Sequence, residues 1–342
     1  MTDTNFLAQQ LANRRRSQWL VAGFILFFAW VGFGGDLAFG LLTADSPPTA
    51  YHHVIPFIGI FTSLLAIGIC WHAQHKGAER VLWATGAWEI IEPATPEQVQ
   101  YVNVVEEMAI AAGIPRPRIW IVPDQDPNAF ATGTDPQHAN VAATDGLLAL
   151  LSRDELQGVV AHEMAHIQNE DTRLMTLLAG MIGAILLVSD GSRRFLGGSN
   201  RGIGGRKGGG GKGAVGMVVL VVWLLSLIIA PLIARVLAMS VSRKREYLAD
   251  ATAAQFTRNP LALASALEKL ESATPATRSI GRGAAHLCIV DPGERSISDV
   301  EGLVGDVFSS HPPIRQRIIR LKGMGFAFEK EGVGVNTGAV SR

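Results

Sequence analysis

The segment Val159-Val-Ala-His-Glu-Met-Ala-His166 sets two imidazoles and a carboxylate in the spacing HExxH. On a helix, His162 and His166 are one turn apart and face the same way, so both can reach one metal ion. Glu163, next to the first histidine, can reach a water on that metal. Zinc brings such a water to a pKa near 7, and a neighbouring carboxylate can then take its proton as it attacks a peptide carbonyl. Gly158-Val-Val-Ala161 before the motif and Met164-Ala165 within it suit a buried helix better than a pair of surface histidines.

Catalytic zinc usually has three protein ligands and an open position. The third must come from elsewhere in the chain. Glu246 and Asp250, in Arg245-Glu-Tyr-Leu-Ala-Asp250, stand four residues apart and so share a helix face. One of these carboxylates can bind metal while the other accepts the N–H of a ligand histidine. Cys70 and Cys288, the only cysteines, exclude a disulfide scaffold and an all-cysteine zinc cluster, and are expected to be structural. His52, His53, His72, His75 and His138 are expected at solvated positions, and His286 in the core.

Several elements must hold these groups in place. The spacing of Val99, Val102, Val105 and Ala109 predicts a helix over 96–112, stopped by Gly113 and Pro115. Short strands are expected at 118–122, 128–133 and 140–144. Ser152 with Glu155 three residues on is a capping box that opens the motif helix. Further helices are expected at 260–271 and 313–321, and a loosely held tail at 323–342.

The composition says where such a site would reside. With 48% apolar and only 18% charged residues and a mean hydropathy of +0.24, the chain is short of surface charge. Thirty basic against thirty acidic side chains argue against a nucleic-acid binder. A bilayer core about 30 Å thick needs about 20 apolar residues as a helix. Runs from Trp19 to Leu42, Val54 to Trp71 and Ala214 to Ala234 meet that need, whereas Leu174 to Ser189 is short. Runs three and four can form a hairpin that brings Glu246 back beside His162 and His166. Arg14-Arg-Arg16 precede the first run and the linker after it carries no Lys or Arg, which predicts a cytoplasmic N-terminus. The hairpin tip, 190–213, is Gly-rich and carries six basic side chains against Asp190, a charge that resists export. It is read as a flexible loop, with contact to anionic lipid as a second role.

Taken in order, Asn128-Ala-Phe-Ala-Thr-Gly133, Thr144-Asp-Gly-Leu-Leu148, the extended HExxH segment from Asp154, Glu246-Tyr-Leu-Ala-Asp250, Ala285-His-Leu-Cys-Ile-Val290 and Ser310-His-Pro-Pro313 resemble the HtpX-type heat-shock membrane metalloproteases, relatives of the CAAX prenyl proteases. The similarity covers roughly residues 90–322. It implies His162, His166 and Glu246 as zinc ligands, one ion per chain, Glu163 as general base and Asp250 as their support. It also implies that His311 and Arg317 stabilise the oxyanion or hold the C-terminal helix near the site. Asn128, Ala129, Phe130, Ala131, Thr132 and Gly133 resemble an edge strand that receives extended substrate by strand addition.

The expected fold is mainly α with a small β-sheet: a membrane-anchored, zincin-like protease domain with about four transmembrane or membrane-inserted helices. Its parts are a cytoplasmic N-terminus (1–18), two spans (19–71), a first protease segment (72–173), a membrane hairpin (174–240), a second protease segment (241–322) and the tail. The expected activity is a zinc metalloendopeptidase of the inner (plasma) membrane, multi-pass, with its site on the cytoplasmic side. Unfolded or damaged membrane proteins are its expected substrates and the lipid bilayer its surroundings. A CAAX-type processing protease and a catalytically silent zinc scaffold are the alternatives. Retained Glu163 argues against the scaffold, and so few spans argue against a large intramembrane chamber.

Overall fold

A computed structural model of the chain describes residues 6–44, 53–181, 221–223, 225, 243–273, 287–290 and 312–336. The chain divides into two compact units. One comprises Met1–Arg14, Gln74–Ala179 and Ala238–Arg342, the other Arg15–Ala73 and Gly180–Leu237.

The second unit holds most of α1 (Phe6–Thr43) and the first half of α2 (Phe57–Ala84). Phe24, Phe28, Ala66, Cys70 and Met181 pack together within it. Leu26, Phe61 and Leu64 point outward, more than 60% exposed. Only 28% and 22% of the two apolar windows, in Gln10–Leu41 and Phe57–Ala84, are buried in protein. A soluble core helix would hide most of such a window, so this surface is one that lipid covers.

Asp36 is the one charge in the first run, and the structure gives it a partner set. Its carboxylate accepts from the backbone N–H groups of Ile58 (3.3 Å) and Gly59 (2.6 Å) and lies 2.6 Å from His53 Nε2. It therefore satisfies the open first turn of α2. His53, expected at a solvated position, is instead buried with it.

Among the described residues, two helices are long and apolar enough to cross a membrane. The third run is helical over the stretch 174–181 and otherwise lies outside the described residues, as does nearly all of the fourth. Two spans are thus carried by the structure, where about four were expected.

In the first unit a four-stranded mixed sheet supports a helical layer. Its strands are β1 (Trp88–Glu89), β2 (Arg118–Val122), β3 (Ala129–Thr132) and β4 (Asn140–Thr144), in the order β1-β2-β4-β3. β2 and β4 run parallel, paired from Arg118 with Asn140 to Val122 with Thr144, and the outer pairs are antiparallel. β1, too short to show a period, was not expected.

The helices are α3 (Pro96–Ala112), α4 (Asp145–Leu150), α5 (Arg153–Gln168), α6 (Arg243–Thr257), α7 (Pro260–Ser272) and α8 (Ile314–Asn336). α3 begins after its Thr95 cap and ends at Gly113, where the periodicity places it. α8 runs on to Asn336 through residues expected to be a loose tail, and 337–342 lie outside the described residues. Gly325, which reads as a loop residue, is a contact glycine: a Cβ there would come within 2.6 Å of Leu261 on α7.

α5 is the central helix, packed by α3, α6, α7 and β3. It buries Leu156, Val159, Val160, Met164 and Ile167 in one core with Ile119, Ile121 and Val141 of the sheet and Leu263 and Leu267 of α7. Gly158 allows that closeness, since a Cβ would meet the Leu263 backbone at 2.9 Å.

Candidate metal centre

The capping box fixes where α5 starts. The Ser152 hydroxyl accepts from Glu155 N–H, and the Glu155 carboxylate accepts from Ser152 N–H. Ten residues on, His162 and Glu163 are buried in the core-facing side, with His166 partly buried one turn later.

The two Nε2 atoms of His162 and His166 lie 3.2 Å apart. α6 supplies Glu246, whose two carboxylate oxygens stand 3.7 Å from His162 Nε2 and 3.6 Å from His166 Nε2. These three side chains can offer one ligand atom each, all within 4.8 Å of one another. The separations are long for hydrogen bonds to nitrogen, but they suit a cation. Bonds of about 2.0–2.1 Å in a tetrahedral site put neighbouring ligand atoms about 3.3 Å apart.

Both imidazoles are oriented from behind. Asp250 Oδ1 sits 3.0 Å from His162 Nδ1, and Asp171 Oδ2 sits 3.2 Å from His166 Nδ1. A carboxylate at Nδ1 holds the proton there and leaves the Nε2 lone pair facing the centre. Arg317 secures Asp250 in a fork, Nε donating to Oδ2 at 2.9 Å and Nη2 to Oδ1 at 2.7 Å, and its Nη1 donates to the Ile289 carbonyl at 3.2 Å.

The charges call for a cation. Four buried carboxylates, Glu163, Asp171, Glu246 and Asp250, surround the histidines, against two buried guanidiniums, Arg245 and Arg317. Their formal sum is −2, which a divalent ion neutralises, and buried charge is tolerated only when compensated. The pKa shifts agree. Burial and the Arg317 charge push His162 down, yet Asp250 and Glu246 outweigh them and hold it up at about 9. Burial would raise Asp250, but Arg317 and His162 hold it down to about 2. Burial pushes the Glu163 carboxyl up, against the pull of the two histidines. The donor set therefore fits a divalent metal.

The chamber is narrow and only partly enclosed. Its volume is about 10 Å³, room for one ion or water, with walls from His162, Glu163, His166, Glu246, Ala131 and Leu287–Ile289. β3 is indeed the end strand of the sheet, but its outer edge is engaged. Cys288 bridges to Phe130, and Ile289 N–H donates to the Ala129 carbonyl at 2.9 Å. Asn128, just before the strand, donates from its amide to the Val290 carbonyl (2.9 Å), and Gly133 N–H donates to the Thr176 hydroxyl (3.2 Å).

The structure thus brings together His162, Glu163, His166, Glu246, Asp250 and Arg317. His311 lies outside the described residues. Asp171 was missed by sequence reasoning, as was the pairing of Leu287–Val290 with β3, although Ala285–Val290 is among the segments that carry the family resemblance. Asp171 had a signal, a carboxylate five residues after His166 where the chain turns into the next helix. The edge segment had a weaker one, its run of small and β-branched apolar residues.

A profile of peptidase family M48 matches residues 95–325, more than half of the chain. The chain belongs to this family. M48 membership makes it a metalloprotease, and its apolar helices make it a membrane protein. Among its curated relatives are two proteins described as Protease HtpX homolog. One, from Caldanaerobacter subterraneus subsp. tengcongensis, is 41% identical over 266 residues, covering 78% of this chain and 84% of the relative. The other, from Streptococcus gordonii, is 37% identical over 318 residues, covering 92% and 99%. Among solved structures, Ste24p of S. mikatae overlaps 89% of this chain and 66% of its own at 18% identity and a TM-score of 0.43, a likeness too slight to build on.

Proposed function

We propose that this M48 chain is a zinc endopeptidase that cleaves misfolded or damaged membrane proteins in stress quality control. The observation that carries the reading is the convergence of His162 Nε2, His166 Nε2 and the Glu246 carboxylate beside Glu163 in one narrow chamber. Zinc held by these three ligands supplies Lewis acidity, polarising a peptide carbonyl and making water nucleophilic near neutral pH. Asp250 and Arg317 orient His162. Glu163, its basicity raised by burial, takes the proton from the attacking water and returns it to the leaving amine. Substrate adds to the outer edge of Asn128–Gly133 once the pairing of Cys288 and Ile289 with that edge opens. His311 steadies the charge that develops on the carbonyl oxygen, and Arg317 holds α8 near the site through Asp250 and the Ile289 carbonyl. In this reading about four helices enter the membrane, 174–240 forming a hairpin, and the site faces the cytoplasm of the inner (plasma) membrane.

Glu163→Gln tests the mechanism. The variant is expected to retain one zinc per chain and to lose cleavage of an unfolded membrane substrate by about 10²- to 10⁴-fold. Persistent turnover with zinc bound sinks the role of Glu163.

A further inference from the structure

The turn after the HExxH helix is held by the far end of the chain. α1 begins well before its apolar stretch, and its first polar turns bond to residues 168–171. Gln10 donates from its amide to the Gln168 carbonyl (2.8 Å), and Arg14 forks onto the two oxygens of Glu170 (2.8 and 2.6 Å). Between them, buried Asn13 donates from Nδ2 to the Asn169 carbonyl (3.0 Å) and to Asp171 Oδ1 (2.7 Å). The other Asp171 oxygen faces His166 Nδ1, and Arg245 Nη1 stands 3.8 Å from Oδ1.

We propose that Asp171 is a positioning residue for His166 and that Asn13 fixes Asp171, so that α1 forms an outer wall of the metal centre. The inference rests on the reading of His166 as a metal ligand. A carboxylate fully removed from water has few rotamers left once both oxygens are engaged. Asn13 occupies Oδ1, which leaves Oδ2 to hold the imidazole in the orientation that points Nε2 at Glu246. Asp250 does the same for His162, with Arg317 in the place of Asn13. Each histidine thus has its own carboxylate, and each carboxylate its own donor from a distant part of the chain.

The test is zinc affinity of the full chain in detergent, measured by competition with a chelator. Asp171→Ala is expected to weaken zinc binding by about 10- to 100-fold. Asn13→Ala is expected to weaken it by about fivefold, the size of one hydrogen bond. Because Asn13 acts through Asp171, the double variant should bind zinc no worse than Asp171→Ala alone. Arg14→Ala loosens the same helix end without touching Asp171 and should stay within about twofold of the parent.

Additive losses in the double variant overturn the proposal, as does an equal loss in Arg14→Ala. Unchanged affinity in Asn13→Ala overturns it too, and that variant decides alone if Asp171→Ala does not fold. A parent chain that takes up no zinc sinks the metal-centre reading itself, whereas zinc bound equally by parent and variants sinks only the positioning.

Discussion

Arg317 is completely buried and serves three groups at once: both oxygens of Asp250 and the Ile289 carbonyl. A lysine there carries the charge but not the planar fork. Arg317→Lys is expected to lower stability by about 2–3 kcal/mol, and Arg317→Ala by about 3–5 kcal/mol because it strands Asp250 as a buried charge. Denaturant unfolding of the two variants checks the order, and equal loss would show that charge alone matters. The legibility of the centre follows the same physics. His162, Glu163 and His166 can be read in the sequence because one helical turn places them, with nothing distant needed. Glu246 and Asp250 can be read because they repeat that spacing. Asp171 and Asn13 are a single carboxylate and a single amide whose meaning comes from contacts 158 residues apart in the chain; the place of Asp171 five residues after His166 is a slight local sign, and nothing local marks Asn13.

At the scale of elements, α5 and α7 are tied at the capping box. Glu155 closes the box on Ser152 and also accepts from Ser265 (2.7 Å) and Lys269 (2.7 Å) of α7. Burial alone would raise its pKa, but these donors outweigh it and bring the carboxyl from 4.5 down to about 2. The folded state therefore binds this proton less readily than the unfolded chain. The stabilisation is complete above about pH 4.5 and is lost as pH falls towards 2, at about 1–2 kcal/mol with Lys269 partly in water. Thermal unfolding of the parent and Glu155→Gln from pH 6 to pH 3 should show a gap that closes on acidification, and a constant gap would refute the assignment. Caps, turns and three of the four strands of the sheet were legible because each is set by neighbours in sequence. The pairing of Leu287–Val290 along β3 was not, since strand partners are chosen by the tertiary fold, and α8 ran past its predicted end, where Gly325 packs against Leu261 of α7.

For the whole molecule, orientation is the property that decides what the protease can reach. The three arginines before the first apolar run predict that the catalytic unit faces the cytoplasm. Both native cysteines are buried, and Ile110 on α3 is 82% exposed. A thiol placed there by Ile110→Cys should resist a membrane-impermeant reagent in intact cells and react after lysis, and labelling of intact cells would reverse the topology. The grip of Gln10, Asn13 and Arg14 on residues 168–171 bears on where the enzyme begins. The stretch that a family profile recognises starts at residue 95 and contains His162, His166 and Glu246. A chain cut to that stretch would keep the ligands and forfeit the donors that steady the turn behind them. The catalytic part is no portable cassette: its border lies in the polar first turns of α1, outside the stretch that the family profile matches.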